Sequence, residues 1–285
     1  MPRGLKEIRR RIRSVEATEK ITSAMKLVAA SKLRRAEERA RAAAPYATAL
    51  RDVLAAVGSE TQGSARLPLL MEREVARTGI VVVTGDRGLC GPYNSLVLRL
   101  MEEVRAGGKG DPLIFPVGRR ARDYCERRRL PIGQGFAPVG DDPTDAQARA
   151  IGESVAKAFI EGTVDEVILV STKFAGAMSS RPNAEHILPL PKPEQKSQGR
   201  HPFEFEPDPE TVLSRLLPAY LNSIFYGALL GSKASEQGAR MVAMDNATRN
   251  AKDLVRHLTL TLNRVRQEAI TREIAELVGG AEAVK

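Results

Sequence analysis

Tryptophan is absent from the 285 residues, and all aromatics together make up 4%. Leu, Val, Ile, Ala and Met must therefore build the core. Cysteine occurs only at Cys90 and Cys125, which gives no disulfide framework and fits a reducing compartment. No G-x-x-x-x-G-K-[ST] loop occurs, so a Walker-type phosphate cradle is excluded. His186, His201 and His257 are scattered, with no carboxylate or cysteine cluster beside them to suggest a metal site. A membrane-spanning helix needs about 20 mostly apolar residues. The one stretch to weigh, Leu216 to Ser232, has 17 residues and contains Pro218, Asn222, Gly227 and Gly231, and it reads as a helix buried against protein. The N-terminus is basic and helix-like without an apolar signal core, so secretion is not expected.

What is present is charge and helical periodicity. The net charge is +9, and residues 1–57 hold 14 Lys and Arg against 6 Asp and Glu, a net of +8. A basic helix can bind nucleic acid, an anionic membrane surface or an acidic protein. Tyr46 is the only aromatic there, which weakens a single-strand nucleic-acid reading. The run Arg9, Arg10, Arg11 and Arg13 reads most simply as a solvated face.

Near the C-terminus, Met241, Met244, Thr248, Ala251, Val255, Leu258, Leu262, Val265 and Ala269 step by three and four without a slip. That is the apolar seam of a coiled coil. The run from Lys233 to Leu277 predicts a helix of about 65 Å, too long to line a small core alone, so it needs a partner. Residues from Lys6 to about Val57 supply one. Leu5, Ile8, Ile12 and Val15 begin its face, which thins to Thr18, Thr22, Met25, Ala29 and Ala36. Pro45 is expected to kink or break this helix near Ala44.

Between the ends the period changes. Residues 79–84, 113–117 and 166–171 read as strands, with 184–190 a further one. Helical stretches lie near 94–105, 119–129 and 144–161, so strands alternating with helices predict a doubly wound α/β domain. Six prolines between 189 and 209 mark an extended connection. Asp208 and Pro209 are an N-cap and first-turn proline that open the last helix, and Pro218 is expected to kink it. The expected organisation is an N-terminal coiled-coil helix (1–57), a linker (58–78), an inserted α/β domain (79–190), a proline-rich connection and foot (191–208), and a C-terminal coiled-coil helix (209–285).

The insert offers no catalytic constellation. Gly85-Asp-Arg-Gly-Leu-Cys-Gly91 follows a strand and precedes a helix, as a dinucleotide loop does. Its glycines are spaced three and three rather than two and three, and the second strand ends in Gly118-Arg119-Arg120 where an acidic ribose ligand is expected. A tight turn with close backbone approach is the simpler reading. Cys90 reads as a small buried cysteine, and Asp141-Asp142 as a loop pair serving solubility.

Residues 6–32 (KEIRRRIRSVEATEKITSAMKLVAASK) resemble the N-terminal helix of the gamma subunit of F-type ATP synthases. Gly85 to Asn94 (GDRGLCGPYN) resembles that family's central motif. Residues 239–250 (ARMVAMDNATRN) and 263–281 (NRVRQEAITREIAELVGGA) resemble its C-terminal signature. The resemblance implies a rotor shaft of antiparallel coiled coil with an inserted Rossmann-like α/β domain. It implies a single copy that stands inside three alpha and three beta subunits, meets an epsilon subunit and rests on the membrane c-ring. The chain would lie peripherally on the cytoplasmic side of the cell membrane and hold no cofactor, metal or catalytic residue of its own.

The resemblance also implies contacts. Ile270, Ile274, Leu277 and Val278 leave the seam register and suit an apolar bearing in the ring. Arg266, Gln267, Thr271 and Glu273 resemble polar contacts to the beta subunits, with Lys20, Met25 and Lys26 on the matching level of the first helix. Phe203, Phe205 and Glu206 match the foot on the c-ring, with phenylalanines where the family often has tyrosines. The regulatory dithiol segment of photosynthetic relatives is missing. The competing class is a basic coiled-coil scaffold for nucleic acid or a membrane surface.

Overall fold

The computed structural model describes residues 3–60, 67–176, 181–191 and 205–282. Two helices dominate: α1 (Arg3–Glu60) and α5 (Pro209–Glu282). Between them lie β1 (Thr78–Val83), α2 (Tyr93–Gly107), β2 (Leu113–Val117), α3 (Arg119–Arg128), α4 (Asp145–Ile160), β3 (Glu166–Lys173) and β4 (Arg181–Leu188). The chain divides into two compact units. One comprises residues 1–28 and 241–285, the other Ala29–Arg240.

The larger unit is built on one sheet in the order β2-β1-β3-β4. β1 pairs in parallel with β2 and β3, and β4 closes one edge antiparallel to β3. All six residues of β1 are buried, as an unbroken β-branched run in a central parallel strand requires. The pleat sorts its side chains. Ile80 and Val82 join Val97 and Met101 of α2 and Cys125 of α3 on one face. Val81 and Val83 join Ile151, Val155 and Phe159 of α4 on the other, together with Leu50 and Leu54 of α1 and Leu213, Leu217, Leu221, Phe225 and Leu229 of α5. The 216–232 stretch is therefore a core helix face. No helix among the described residues is long and apolar enough to cross a membrane.

α4 begins with a full capping box: Thr144 caps Gln147 N, and the Gln147 side chain returns to Thr144 N. α5 begins as its sequence predicts, with Asp208 Oδ1 accepting from Thr211 N at 2.8 Å. Neither internal proline ends its helix, so of the kink or break expected at Pro45 the break does not occur. Pro45 and Arg41, whose carbonyl loses its helical partner, are both exposed, as are Pro218 and Ser214. Water can satisfy carbonyls freed on a solvent face.

The smaller unit is an antiparallel helix pair. Lys26 Nζ meets Asp245 Oδ1 at 2.7 Å, the Thr248 and Thr22 hydroxyls are 2.8 Å apart, and Lys252 Nζ lies 3.8 Å from Glu19. Each step up α1 is a step down α5. Every residue of the Met241-to-Ala269 seam is buried or half-buried. On α1 the covered positions up to Lys26 are Leu5, Ile8, Ile12, Val15, Glu19, Thr22, Ser23, Met25 and Lys26. Thr18 is exposed and bonds its own helix at Ser14 O, which corrects its place in the seam: the step from Val15 is four residues, to Glu19.

Candidate functional site

In an open α/β sheet, ligands bind beyond the carboxyl ends of the strands, where the connections change side. Here that point lies between β1 and β3, because β1 leads to α2 on one face and β3 is reached from α4 on the other. The Gly85–Gly91 loop leaves β1 at this place. It is held rigidly. Asn94 Oδ1 accepts from Gly85 N at 2.9 Å, and Asn94 Nδ2 donates to Arg87 O and to Cys90 Sγ. Asp86 accepts from the backbone of Arg119, Val139 and Gly140 at 2.8–3.0 Å, tying the loop to the start of α3 and to the segment after it. Gly118, at φ +91°, makes that segment possible: a β-carbon there would lie 2.3 Å from Thr84 O.

The crevice is filled by the chain itself. Ser232 on α5 accepts from Tyr93 Oη through its carbonyl at 3.1 Å and from Thr172 N through its hydroxyl at 3.3 Å. One turn on, the Glu236 carboxylate sits against Gly85, where a β-carbon would approach its Cδ to 2.9 Å. About 10 Å³ of space remains between β1, the loop and α5, no more than a single water needs. The geometry closes the dinucleotide reading. It also refines the turn reading, since what approaches Gly85 is a side chain from α5 rather than backbone.

Glu236 is almost fully buried and doubly paired. Lys233 Nζ lies 3.1 Å from one oxygen and Arg240 donates to the other at 2.6 Å, and Arg240 also donates to Gly88 O at 3.2 Å. A buried charge needs such partners. Asp141 extends the network, accepting from Lys32 Nζ at 2.7 Å with Lys233 Nζ 3.3 Å away, while Arg39 reaches Asp142 at 2.6 Å. The Lys32 hydrogen bond, aided by Lys233, holds the Asp141 carboxyl down to about 2. Asp141 and Asp142 thus have structural partners, which corrects the solubility reading. A signal was available in the sequence. Lys233, Glu236 and Arg240 share a helix face within a run of small residues (Ser232, Ala234, Ser235, Gly238, Ala239), where close helix approach puts charges under cover.

The thiols are unreactive by environment. Burial raises Cys90 despite the nearby Arg240, and raises Cys125 to about 11. Among the described residues no group of His, Cys, Asp and Glu could hold a metal ion.

The residues implied as partner contacts occupy distinct places. Arg266, Gln267, Thr271 and Glu273 are exposed on α5, as is Lys20 on α1. Ile270, Ile274, Leu277 and Val278 are 45%, 56%, 74% and 58% exposed. The antiparallel register explains why. Extrapolated from Glu19–Lys252, it sets Leu5 level with Arg266, so no described residue of α1 faces α5 beyond about Ala269. The same register sets Lys20, Met25 and Lys26 level with Ala251 to Asp245 rather than with Arg266 to Glu273, which corrects their expected matching level. Met25 is half-buried on the seam, and Lys26 has an intrachain partner in Asp245. Phe205 packs partly on the larger unit's core and Glu206 is exposed. Phe203 lies outside the described residues.

A family model described as ATP synthase matches residues 4–284. An ATP synthase gamma chain from Moorella thermoacetica is 46% identical over 286 residues, covering 99% of each chain. A central-stalk chain of the Tetrahymena thermophila mitochondrial ATP synthase is 25% identical, with TM-score 0.61 over 80% of this chain and 99% of that one. A Euglena gracilis mitochondrial ATP synthase chain shares the fold, with TM-score 0.70 at 20% identity over 99% and 94% of the two chains. The chain belongs to the ATP synthase gamma chain family and serves as a rotor stalk.

Proposed function

We propose that the end of α5 turns inside a ring of three alpha and three beta subunits, one copy of this chain per complex, and that the ring bears on Ile270, Ile274 and Leu277. The exposure of these apolar residues where α1 has run out carries the reading: apolar side chains covered neither by a partner helix nor by a core suit a surrounding protein surface. Arg266, Gln267, Thr271 and Glu273 supply polar contacts to the ring, and Lys20, Met25 and Lys26 meet it further from the tip, level with Ala251 to Asp245. Exposed charge pairs are worth about 0–1 kcal/mol each, so they bias angular positions without fixing them, as a rotor requires.

The chain's other contacts are an epsilon subunit and the membrane c-ring, the latter through Phe203, Phe205 and Glu206, and the complex sits at the cytoplasmic face of the cell membrane. Rotation driven by ion flow through the c-ring then moves the beta-subunit sites through successive conformations. In this reading residues 1–57 and 209–285 form the shaft and 79–190 the insert.

The test is the double substitution R266A/Q267A in the assembled enzyme. Coupled ATP turnover should fall while the subunits still co-purify in fixed ratio. Unchanged turnover removes these two residues from the ring contact. Recovery of the chain without alpha and beta subunits, or ATP hydrolysis by the isolated chain, overturns the reading as a whole.

A further inference from the structure

Within the larger unit, α1 and α5 are both tied by charge to one loop of the inserted α/β domain, the loop between α3 and α4. Lys32 of α1 donates to Asp141 Oδ2 at 2.7 Å, and Lys233 of α5 lies 3.3 Å from Asp141 Oδ1. Next to it, Arg39 of α1 donates to Asp142 at 2.6 Å. On the α5 side Lys233 is anchored again by Glu236, which Arg240 holds while bonding Gly88 O in the β1–α2 loop. Asp141 is therefore a two-sided link: each of its oxygens faces a cation from a different long helix.

Most of the remaining contact between these helices and the rest of the larger unit is apolar, through residues such as Leu50, Leu54, Leu221 and Phe225. On the α5 side Ser232 also accepts neutral hydrogen bonds from Tyr93 and Thr172, and Asn222 donates to Asp145. Apolar burial resists separation but is non-directional, so it opposes sliding weakly. Charge-assisted hydrogen bonds are short and directional, and a carboxylate bonded from two sides resists displacement along either helix. A stalk that carries torque is loaded in shear where its helices meet the insert.

We propose that Asp141 is the positioning residue that locks both long helices to the insert, so that torque passes between them without slip. This rests on the rotor reading. Asp141 touches no reacting group. It acts by holding Lys32 and Lys233, and with its charge removed two lysines would face each other across a neutral side chain.

The experiment uses the assembled enzyme in sealed vesicles and compares proton pumping per ATP hydrolysed for the wild type, D141N, D141E, K32M and K32M/D141N. The pumping ratio should fall by about two- to fivefold in D141N, with hydrolysis still proceeding. K32M should fall less, D141E should recover most of the ratio, and the double variant should match D141N because D141N already breaks the link that K32M removes. An assembled D141N enzyme with the wild-type ratio overturns the proposal, as do losses that simply add in the double variant. If D141N fails to assemble, K32M decides: it leaves Asp141 paired with Lys233, and a wild-type ratio there overturns the proposal. Wild-type enzyme that hydrolyses ATP without pumping would instead sink the rotor reading.

Discussion

Gly85 and Glu236 share one volume: a β-carbon on the glycine would sit 2.9 Å from the carboxylate carbon of the glutamate. The two residues are 151 positions apart, and their approach closes the crevice where related sheets hold anionic ligands. An anion is still present there. It is the chain's own carboxylate, neutralised by Lys233 and Arg240.

That approach predicts non-additive stability changes. G85A should destabilise the larger unit by about 1–3 kcal/mol through overpacking, because the facing carboxylate is pinned by two cations and cannot swing away. E236A should cost about 3–5 kcal/mol by leaving Lys233 and Arg240 buried with a partner lost. In G85A/E236A the glycine change should add little, since the clash is gone. Denaturant midpoints of the larger unit's transition measure all three, and simple addition would contradict the contact.

Asp141 predicts an acid-sensitive joint. Its folded carboxyl is held at about 2 by Lys32 and Lys233, against about 3.9 in an unfolded chain. A depressed carboxylate contributes stability that is fully present above the unfolded value and lost as pH falls through the folded one. Stability of the wild type should therefore decline between about pH 4 and pH 2 more steeply than that of D141N. Parallel curves for the two proteins in that window would show that the carboxylate gains nothing from its partners. The gain is moderated by solvent, because the Asp141 side chain is 40% exposed.

The cysteines predict latent thiols. Cys90 and Cys125 are buried and both are raised by desolvation, Cys125 to about 11. The thiolate is the nucleophile, so the native chain should react with an aromatic disulfide reagent at pH 8 far more slowly than the denatured chain. Rapid modification of either thiol without unfolding would contradict the burial.

Several features were determined by the sequence alone, because local periodicity and long-range packing agree in them. Met241 to Ala269 alternates three and four with no break, and every one of those residues is buried or half-buried. Ile80 to Val83 is an unbroken β-branched run, and it forms the buried central strand. Asp208-Pro209 and Thr144 mark helix starts by chemistry that acts within four residues.

Tertiary structure decided what such patterns do not encode. The seam on α1 passes through Glu19 rather than Thr18, where the three-four spacing puts a carboxylate that faces Lys252 across the pair, and hydropathy cannot register a charged residue as a seam position. Pro45 and Pro218 sit inside unbroken helices on exposed faces, with Arg41 and Ser214 exposed one turn before them, a matter of orientation in the fold. Asp141 looks like any loop carboxylate until Lys32 and Lys233 arrive from residues about a hundred positions away on either side. Gly85 reads as a turn glycine, yet its missing side chain makes room for Glu236. The periodicity of a helix or strand is set by its own backbone, whereas a charge pair or a close approach exists only between elements that folding has brought together.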